Sequence, residues 1–342
     1  MRIAVLTGGG DCPGLNGAIR AVVRKCLALN YEVVGVKRGW LGLMKGDVEP
    51  MGAHSVSGIL PLGGTILGTS RTNPFKEADG LARIEATLRD YRVDALIAIG
   101  GDDTLGVANA LCKHGILTVG VPKTMDNDVA LTDYCIGFDS AVSIVTDALD
   151  KLHTTASSHH RVMVVEVMGR DSGWVALVGG LAGGADWIMI PEVPASVEEA
   201  CEHLRNRRGK GKDFSIIVVA EGVTPIDLSV TDDTSVDAFG HVRLDRRGVG
   251  EALGRRIEEI TGFETRVTVL GHLQRGGSPT VFDRMLATRL GVAAVDCVKE
   301  RKFGKMVALQ CSQIATVELD DVISQSPRNV DPSLYELAAI FY

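Results

Sequence analysis

Ile3-Ala4-Val5-Leu6-Thr7-Gly8-Gly9-Gly10-Asp11-Cys12-Pro13-Gly14-Leu15-Asn16-Gly17-Ala18-Ile19-Arg20-Ala21-Val22-Val23-Arg24 stands almost at the start of the chain. Its first four residues are apolar without alternation, the pattern of a strand buried on both faces. The glycines form a loop, and from Asn16 the apolar residues recur at helical spacing. Working outward, the same succession repeats. Strands are expected at Glu32–Val36, Ala95–Ile99, Leu117–Val121, Val162–Val167, Ile188–Ile190, Ser215–Ala220, Val267–Leu270 and Met306–Leu309. Helices are expected at 104–113, 139–156, 172–183, 197–208, 249–261 and 280–300. Apolar strands separated by helices predict an α/β protein of two doubly wound lobes with parallel sheets. The segment 223–248 breaks the pattern: it carries Asp227, Asp232, Asp233, Asp237 and Asp245 with no sustained period, as a surface excursion or small hairpin would. Residues 319–342 do not choose between strand and helix, and no internal repeat is visible.

A chain of 342 residues suggests about two domains. With 45% hydrophobic and 23% charged residues, it is not a disordered chain. Lys and Arg number 36 against 43 Asp and Glu, and the net charge of −7 gives no general reason to bind nucleic acid or anionic membranes. An anionic ligand must be held by a local cluster of cations or of backbone N–H groups. The apolar stretch Trp174–Ile190 contains four glycines and Asp186, so it reads as a buried helix followed by a strand rather than a membrane span. Seven cysteines, odd in number and never spaced C-x-x-C, argue for a reducing compartment. With no apolar leader before the first strand, a cytoplasmic location is expected.

In open parallel sheets, ligands bind where strands lead into helices. The first such loop, Gly8 to Asn16, offers backbone N–H groups to an anion at a helix start, although a flexible turn reads equally well. It is neither a G-x-x-x-x-G-K-[ST] loop nor G-x-G-x-x-G. The second, Gly100-Gly101-Asp102-Asp103-Thr104, is too acidic to meet a phosphate directly but suits a carboxylate holding Mg²⁺. An acidic first helical turn is the ordinary alternative. In Pro122-Lys123-Thr124-Met125-Asp126-Asn127-Asp128, a cation, a hydroxyl and carboxylates crowd one strand end, more than a turn requires. Such a carboxylate can act as general base in phosphoryl transfer. Met168-Gly169-Arg170, Glu221-Gly222 and Gly271-His272-Leu273-Gln274-Arg275-Gly276-Gly277 follow. Arg161, Arg170, Arg266 and Arg275 stand at strand edges or in such loops, and arginine suits a phosphate monoester. His159-His160 lacks a third ligand at metal spacing. Trp40, Trp174 and Trp187 read as packing residues. Gly248-Val249-Gly250-Glu251-Ala252-Leu253-Gly254 imitates a nucleotide loop without the apolar strand that should precede it.

Taken in order, these loops resemble those of the phosphofructokinase family, over roughly residues 1 to 310. The resemblance implies two Rossmann-like lobes with the active site in the cleft between them. One, 1–137 plus about 274–324, would bind the phosphoryl donor; the other, 138–273 plus about 325–342, fructose 6-phosphate. The sugar phosphate would be held by Thr124, Asp126, Asp128, Met168, Gly169, Arg170, Glu221, His272 and Arg275. Arg161 and Arg266 would reach in from a neighbouring subunit of a homodimer or homotetramer. Asp126 would accept the proton of the 1-hydroxyl, Asp102 would hold Mg²⁺, and Gly10 and Arg71 would meet the donor. Asp103 and Lys123 resemble the pyrophosphate-dependent members, where ATP-dependent ones typically carry glycine. A carboxylate at 103 would repel an α-phosphate, and the ammonium of Lys123 would neutralise the leaving phosphate. Arg20 and Arg24 match effector-site arginines of the bacterial enzymes, but His54 and His153 replace two others, against nucleotide or phosphoenolpyruvate control. Competing readings are the same reaction with ATP, a dinucleotide-dependent dehydrogenase suggested by the 248–254 glycines, and a non-catalytic sugar-phosphate sensor.

Overall fold

The computed structural model describes residues 1–229, 239–240, 244 and 247–342. Most of the aspartate-rich part of 223–248 therefore lies outside the described residues. Two units emerge. The first is built from Met1–Ser140 and Arg275–Pro327, to which Phe239 and Gly240 belong. The second comprises 141–229, 244, 247–274 and Arg328–Tyr342.

The first unit contains β1 (Arg2–Thr7), α1 (Leu15–Ala28), β2 (Glu32–Val36), α2 (Gly39–Lys45), β3 (Val48–Met51), α3 (Gly80–Asp90), β4 (Ala95–Gly100), α4 (Asp102–Lys113) and β5 (Thr118–Pro122). The chain then enters α5 (Phe138–His159), within which the division falls. The elements of the second unit are β6 (Val162–Val167), α6 (Trp174–Ala182), β7 (Trp187–Met189), α7 (Val197–Gly209), β8 (Ser215–Ala220), α8 (Val249–Thr261) and β9 (Thr265–Val269). Returning to the first unit, α9 (Val281–Lys299), β10 (Lys305–Gln310), β11 (Gln313–Glu318) and α10 (Leu319–Gln325) precede α11 (Pro332–Ala339) of the second. Residues 319–342 thus hold two short helices.

The first sheet has seven strands in the order β11-β10-β5-β4-β1-β2-β3. Its five inner strands are parallel, as apolar runs such as Ala95-Leu96-Ile97-Ala98-Ile99 require, and all five of those residues are buried. Both edges correct the expectation of a purely parallel sheet. β3 runs antiparallel to β2, and β11 antiparallel to β10. β11 returns through a two-residue turn at Cys311 and Ser312, both at positive φ, a geometry that matches strand twist. Leu6, Leu96, Leu105, Leu111, Met306 and Leu319 share one core around this sheet.

The second sheet, β7-β8-β6-β9, is parallel throughout. The described beginning of the 223–248 segment secures a helix start. Asp227 accepts from Val197 N (2.8 Å), Glu198 N (3.0 Å) and Ser196 Oγ (2.9 Å), so it caps α7. Of the tryptophans, Trp40 is buried in the first unit, whereas Trp187 packs on the His203 and Tyr342 rings. Among the described residues no helix is long and apolar enough to cross a membrane, and all seven cysteines are free.

Candidate active site

In the first unit, three strand ends meet at the glycine loop. Gly8 N donates to Ile99 O (3.0 Å), locking the exit of β1 to that of β4. Lys123, at the exit of β5, is only 2% exposed. Its ammonium donates to Gly8 O (3.1 Å) and, by a shorter bond, to Gly10 O. Burial pulls the Lys123 pKa below the ordinary amine value, while the nearby Asp11 and Asp126 charges act the other way. From far along the chain, Arg275 Nη1 donates to Asp11 O (3.0 Å). A Cβ on Gly10 would lie 2.4 Å from that same Nη1, so glycine is what lets the guanidinium reach the loop. The loop is therefore held from beneath by one cation and from the side by another. Arg275, expected among the sugar ligands, stands against the glycine loop in this structure.

The turn after Lys123 gathers carboxylates. Thr124 Oγ1 accepts from Asp126 N (3.1 Å). Asn127, in left-handed backbone, accepts from Cys135 N (2.9 Å) and donates to Asp133 O (3.3 Å), which pins the turn. Asp128 is buried; desolvation, the Asp126 charge and the Asp102 charge together push its carboxyl up to about 8. Its Oδ1 is buried without a hydrogen-bond partner, while its carboxyl also takes a bond from Thr124. A buried, unpartnered carboxylate oxygen amid like charges suits a nearby cation. Among the described residues no three His, Cys, Asp or Glu side chains form a ready-made metal cage. Mg²⁺ does not need one, since it binds through one or two carboxylates, waters and substrate phosphates. The residues present fit it.

Asp102 and Asp103 open α4, half-exposed at its positive end. They line an open cleft of about 450 Å³ together with Asn73, Phe75, Phe239 and Ile323. That volume lies within the usual range for small-molecule pockets. Arg71 lies exposed two residues before Asn73.

In the second unit, the loops after β6 and β8 are fused. Glu221 N donates to Val167 O (2.9 Å) and Gly222 N to Gly169 O (3.0 Å). A Cβ on Gly222 would come within 1.9 Å of Arg170 O, so the loops touch only because that residue is glycine. Met168 N donates to Oε1 of the buried Gln274 (3.3 Å), tying in the 271–275 turn, where His272 is exposed. Arg170 pairs with Asp171 (2.9 Å). Met168, Gly169, Arg170, Glu221 and His272 thus belong to one group of strand exits.

Arg161 and Arg266 do not belong to it. Arg161 precedes β6, and Arg266 is paired in register with Met163, at the entry end of the strands. Both guanidiniums converge on Glu264, at 2.8 Å from Arg161 and closer from Arg266. The Arg161 bond and the two positive charges hold the Glu264 carboxyl below its usual range. Six residues of extended strand, about 20 Å, separate Arg161 from Met168. The sequence reading missed Glu264. The signal was present: Glu264 and Arg266 are two apart across the start of β9, so extended backbone turns them to one face.

Residues 2–298 match the phosphofructokinase family. A Streptomyces coelicolor protein named pyrophosphate–fructose 6-phosphate 1-phosphotransferase is 54% identical over 345 positions, covering 100% of both chains. A Mycobacterium leprae ATP-dependent 6-phosphofructokinase is 47% identical, again over 100% of both. Phosphofructokinase from Pichia pastoris in the T-state superposes with a TM-score of 0.84 at 32% identity. The match covers 99% of this chain and 36% of that one, so the chain spans about a third of that longer protein. Glycine loop, carboxylate turn and the fused loops after β6 and β8 all lie within the matched region, and the chain belongs to the phosphofructokinase family.

Proposed function

We propose that this protein transfers a phosphoryl group from pyrophosphate to the 1-hydroxyl of fructose 6-phosphate, giving fructose 1,6-bisphosphate and phosphate. One observation carries the choice of donor: a buried lysine under the glycine loop in the same unit as a second carboxylate, Asp103, at the head of α4. An ammonium has three donors, and two carbonyls occupy two of them. The third is assigned to the leaving phosphate. Asp103 faces the cleft that a nucleoside would need. Because the cleft is open, we assign the exclusion of ATP to charge rather than to lack of space.

Asp126 takes the proton as the 1-hydroxyl attacks the terminal phosphorus, and the bond to the bridging oxygen breaks. Asp126 interacts electrostatically with both Lys123 and the buried Asp128. Thr124, Asp128 and Gly10 complete the first unit's share of the ligands, with Arg71 at its edge and Arg275 steadying the loop. Mg²⁺, held by Asp102, would screen the negative charge of pyrophosphate. The sugar phosphate is assigned to Met168, Gly169, Arg170, Glu221 and His272. Arg161 and Arg266 lie about 20 Å of strand away from those loops, which supports their service to a second copy in a homodimer or homotetramer. Seven free thiols support a reducing, cytoplasmic setting.

A second reading keeps the reaction and takes ATP as donor, favoured by the open cleft and by relatives named as ATP-dependent. Purified protein given fructose 6-phosphate, Mg²⁺ and either donor separates the two. Pyrophosphate should give the higher kcat/KM; a preference for ATP would overturn the donor assignment.

A further inference from the structure

We propose that Arg247, which lies outside every sequence motif above, is a positioning residue for the sugar side: it holds the Glu221–Gly222 turn where Glu221 can meet fructose 6-phosphate. The proposal rests on the reading of Glu221 as a sugar ligand.

Arg247 is 8% exposed, an unusual state for an arginine without a structural partner. Its Nη1 donates to the carbonyl of Glu221 (3.3 Å) and its Nη2 to Oγ1 of Thr224 (2.5 Å). Glu221 and Gly222 are the central residues of a turn closed by Val223 N donating to Ala220 O (3.0 Å). The amides of both central residues are already bound to the β6 exit, through Val167 O and Gly169 O. Arg247 bridges the turn and the segment that leaves it with a planar fork that a lysine cannot reproduce.

Arg247 is itself anchored. It immediately precedes Gly248, the N-cap of α8. Gly250 N donates to Oε2 of the buried Glu166 (2.7 Å). A Cβ on Gly250 would lie 3.0 Å from both Cβ and Oε2 of Glu166, and one on Gly254 would lie 2.5 Å from Val267 Cγ2. Gly250 and Gly254 therefore serve close packing of α8 on the sheet. Burial raises the pKa of Glu166, and the positive charge of Arg247 opposes that rise. Since Glu166 stands two residues before Met168, one carboxylate and one guanidinium connect the α8 start to both sugar loops.

The test uses the full-length protein, with fructose 6-phosphate affinity measured by calorimetry beside steady-state kinetics. Arg247→Met keeps the apolar stem and removes the fork. It should raise both KM and Kd for fructose 6-phosphate on the order of 10-fold, the cost of a lost bond to a charged group. The KM for pyrophosphate should stay unchanged and kcat nearly so. Arg247→Lys should restore only part of the affinity. Thr224→Val, at an exposed position, removes one prong and should give a smaller shift in the same direction, which keeps the test decisive if Arg247→Met does not fold. Glu221→Gln separates the two levels. If it weakens sugar affinity while Arg247→Met and Thr224→Val do not, the positioning role is overturned and the site reading stands. If Glu221→Gln has no effect, the site reading fails and takes the positioning role with it. Equal rises in both KM values with a lower Tm would mean general destabilisation, and would also overturn it.

Discussion

The loops around Lys123 and the loops around Arg170 are secured by different means. On the proposed donor side, cations distant in sequence are already bonded to the glycine loop: Lys123 across 115 residues to Gly8, and Arg275 across 264 to Asp11. On the proposed sugar side the backbone turns are fused, yet two of the expected phosphate-gripping arginines are held on Glu264 at the other end of β6 and β9. A pocket for pyrophosphate must fix its N–H groups beforehand, since reorganisation at the moment of reaction would forfeit their stabilisation. The arginines show no such preparation within one chain, which is consistent with the proposed completion of the sugar site by a second copy.

Substitutions on the donor side should break catalysis first. Asp126→Ser should lower kcat by about 10²–10⁴-fold, the usual worth of general-base help, while leaving the KM for fructose 6-phosphate within several-fold. Retention of more than about a tenth of the rate would mean that another group takes the proton. Lys123→Met should cost pyrophosphate on the order of 10- to 150-fold in kcat/KM, the equivalent of one charge-assisted contact. Asp103→Asn changes charge at nearly constant volume. If repulsion excludes ATP, this variant should gain ATP use although it opens no space; if only Asp103→Gly gains it, exclusion is steric.

A further effect concerns stability rather than turnover. Asp283 accepts from Gly137 N (2.9 Å), Ser140 N (2.8 Å) and Ser140 Oγ (2.6 Å), and anchors the start of α5. Burial raises its pKa from 3.8 to about 6. A carboxyl whose folded pKa exceeds its unfolded one favours folding below about pH 4, and that contribution is lost as pH rises through 6. The full change is about 3 kcal/mol, at 1.36 kcal/mol per unit. The Tm advantage of wild type over Asp283→Asn should therefore shrink between pH 4 and 7. A constant or growing advantage would contradict the assignment.

The parts legible in the sequence were those that local chemistry dictates. Uninterrupted apolar runs announced the inner parallel strands, and loops of glycine and charge announced their exits. The antiparallel edges were hidden for specific reasons. β3 is four residues long and contains Pro50, while β11 turns back through Cys311 and Ser312 rather than through the Asn-Gly that signals such a hairpin. The helices of 319–342 span only seven and eight residues, too short for a periodic signal. At the site, residue types were readable but partners were not. Nothing local says that Arg275 will meet Asp11, or that Arg247 will meet Glu221, because those contacts exist only once the sheets have formed.

Complementation between two crippled chains tests the contrast between the two sides most directly. Arg161→Ala keeps Asp126 but lacks one gripping arginine; Asp126→Ser keeps the arginine but lacks the base. At fructose 6-phosphate concentrations too low for either variant alone, mixed oligomers verified by mass should regain turnover, because one of their sites combines an intact Asp126 with the other chain's intact Arg161. Mixed oligomers no more active than their parents would contradict the shared site and return both arginines to the chain that carries them.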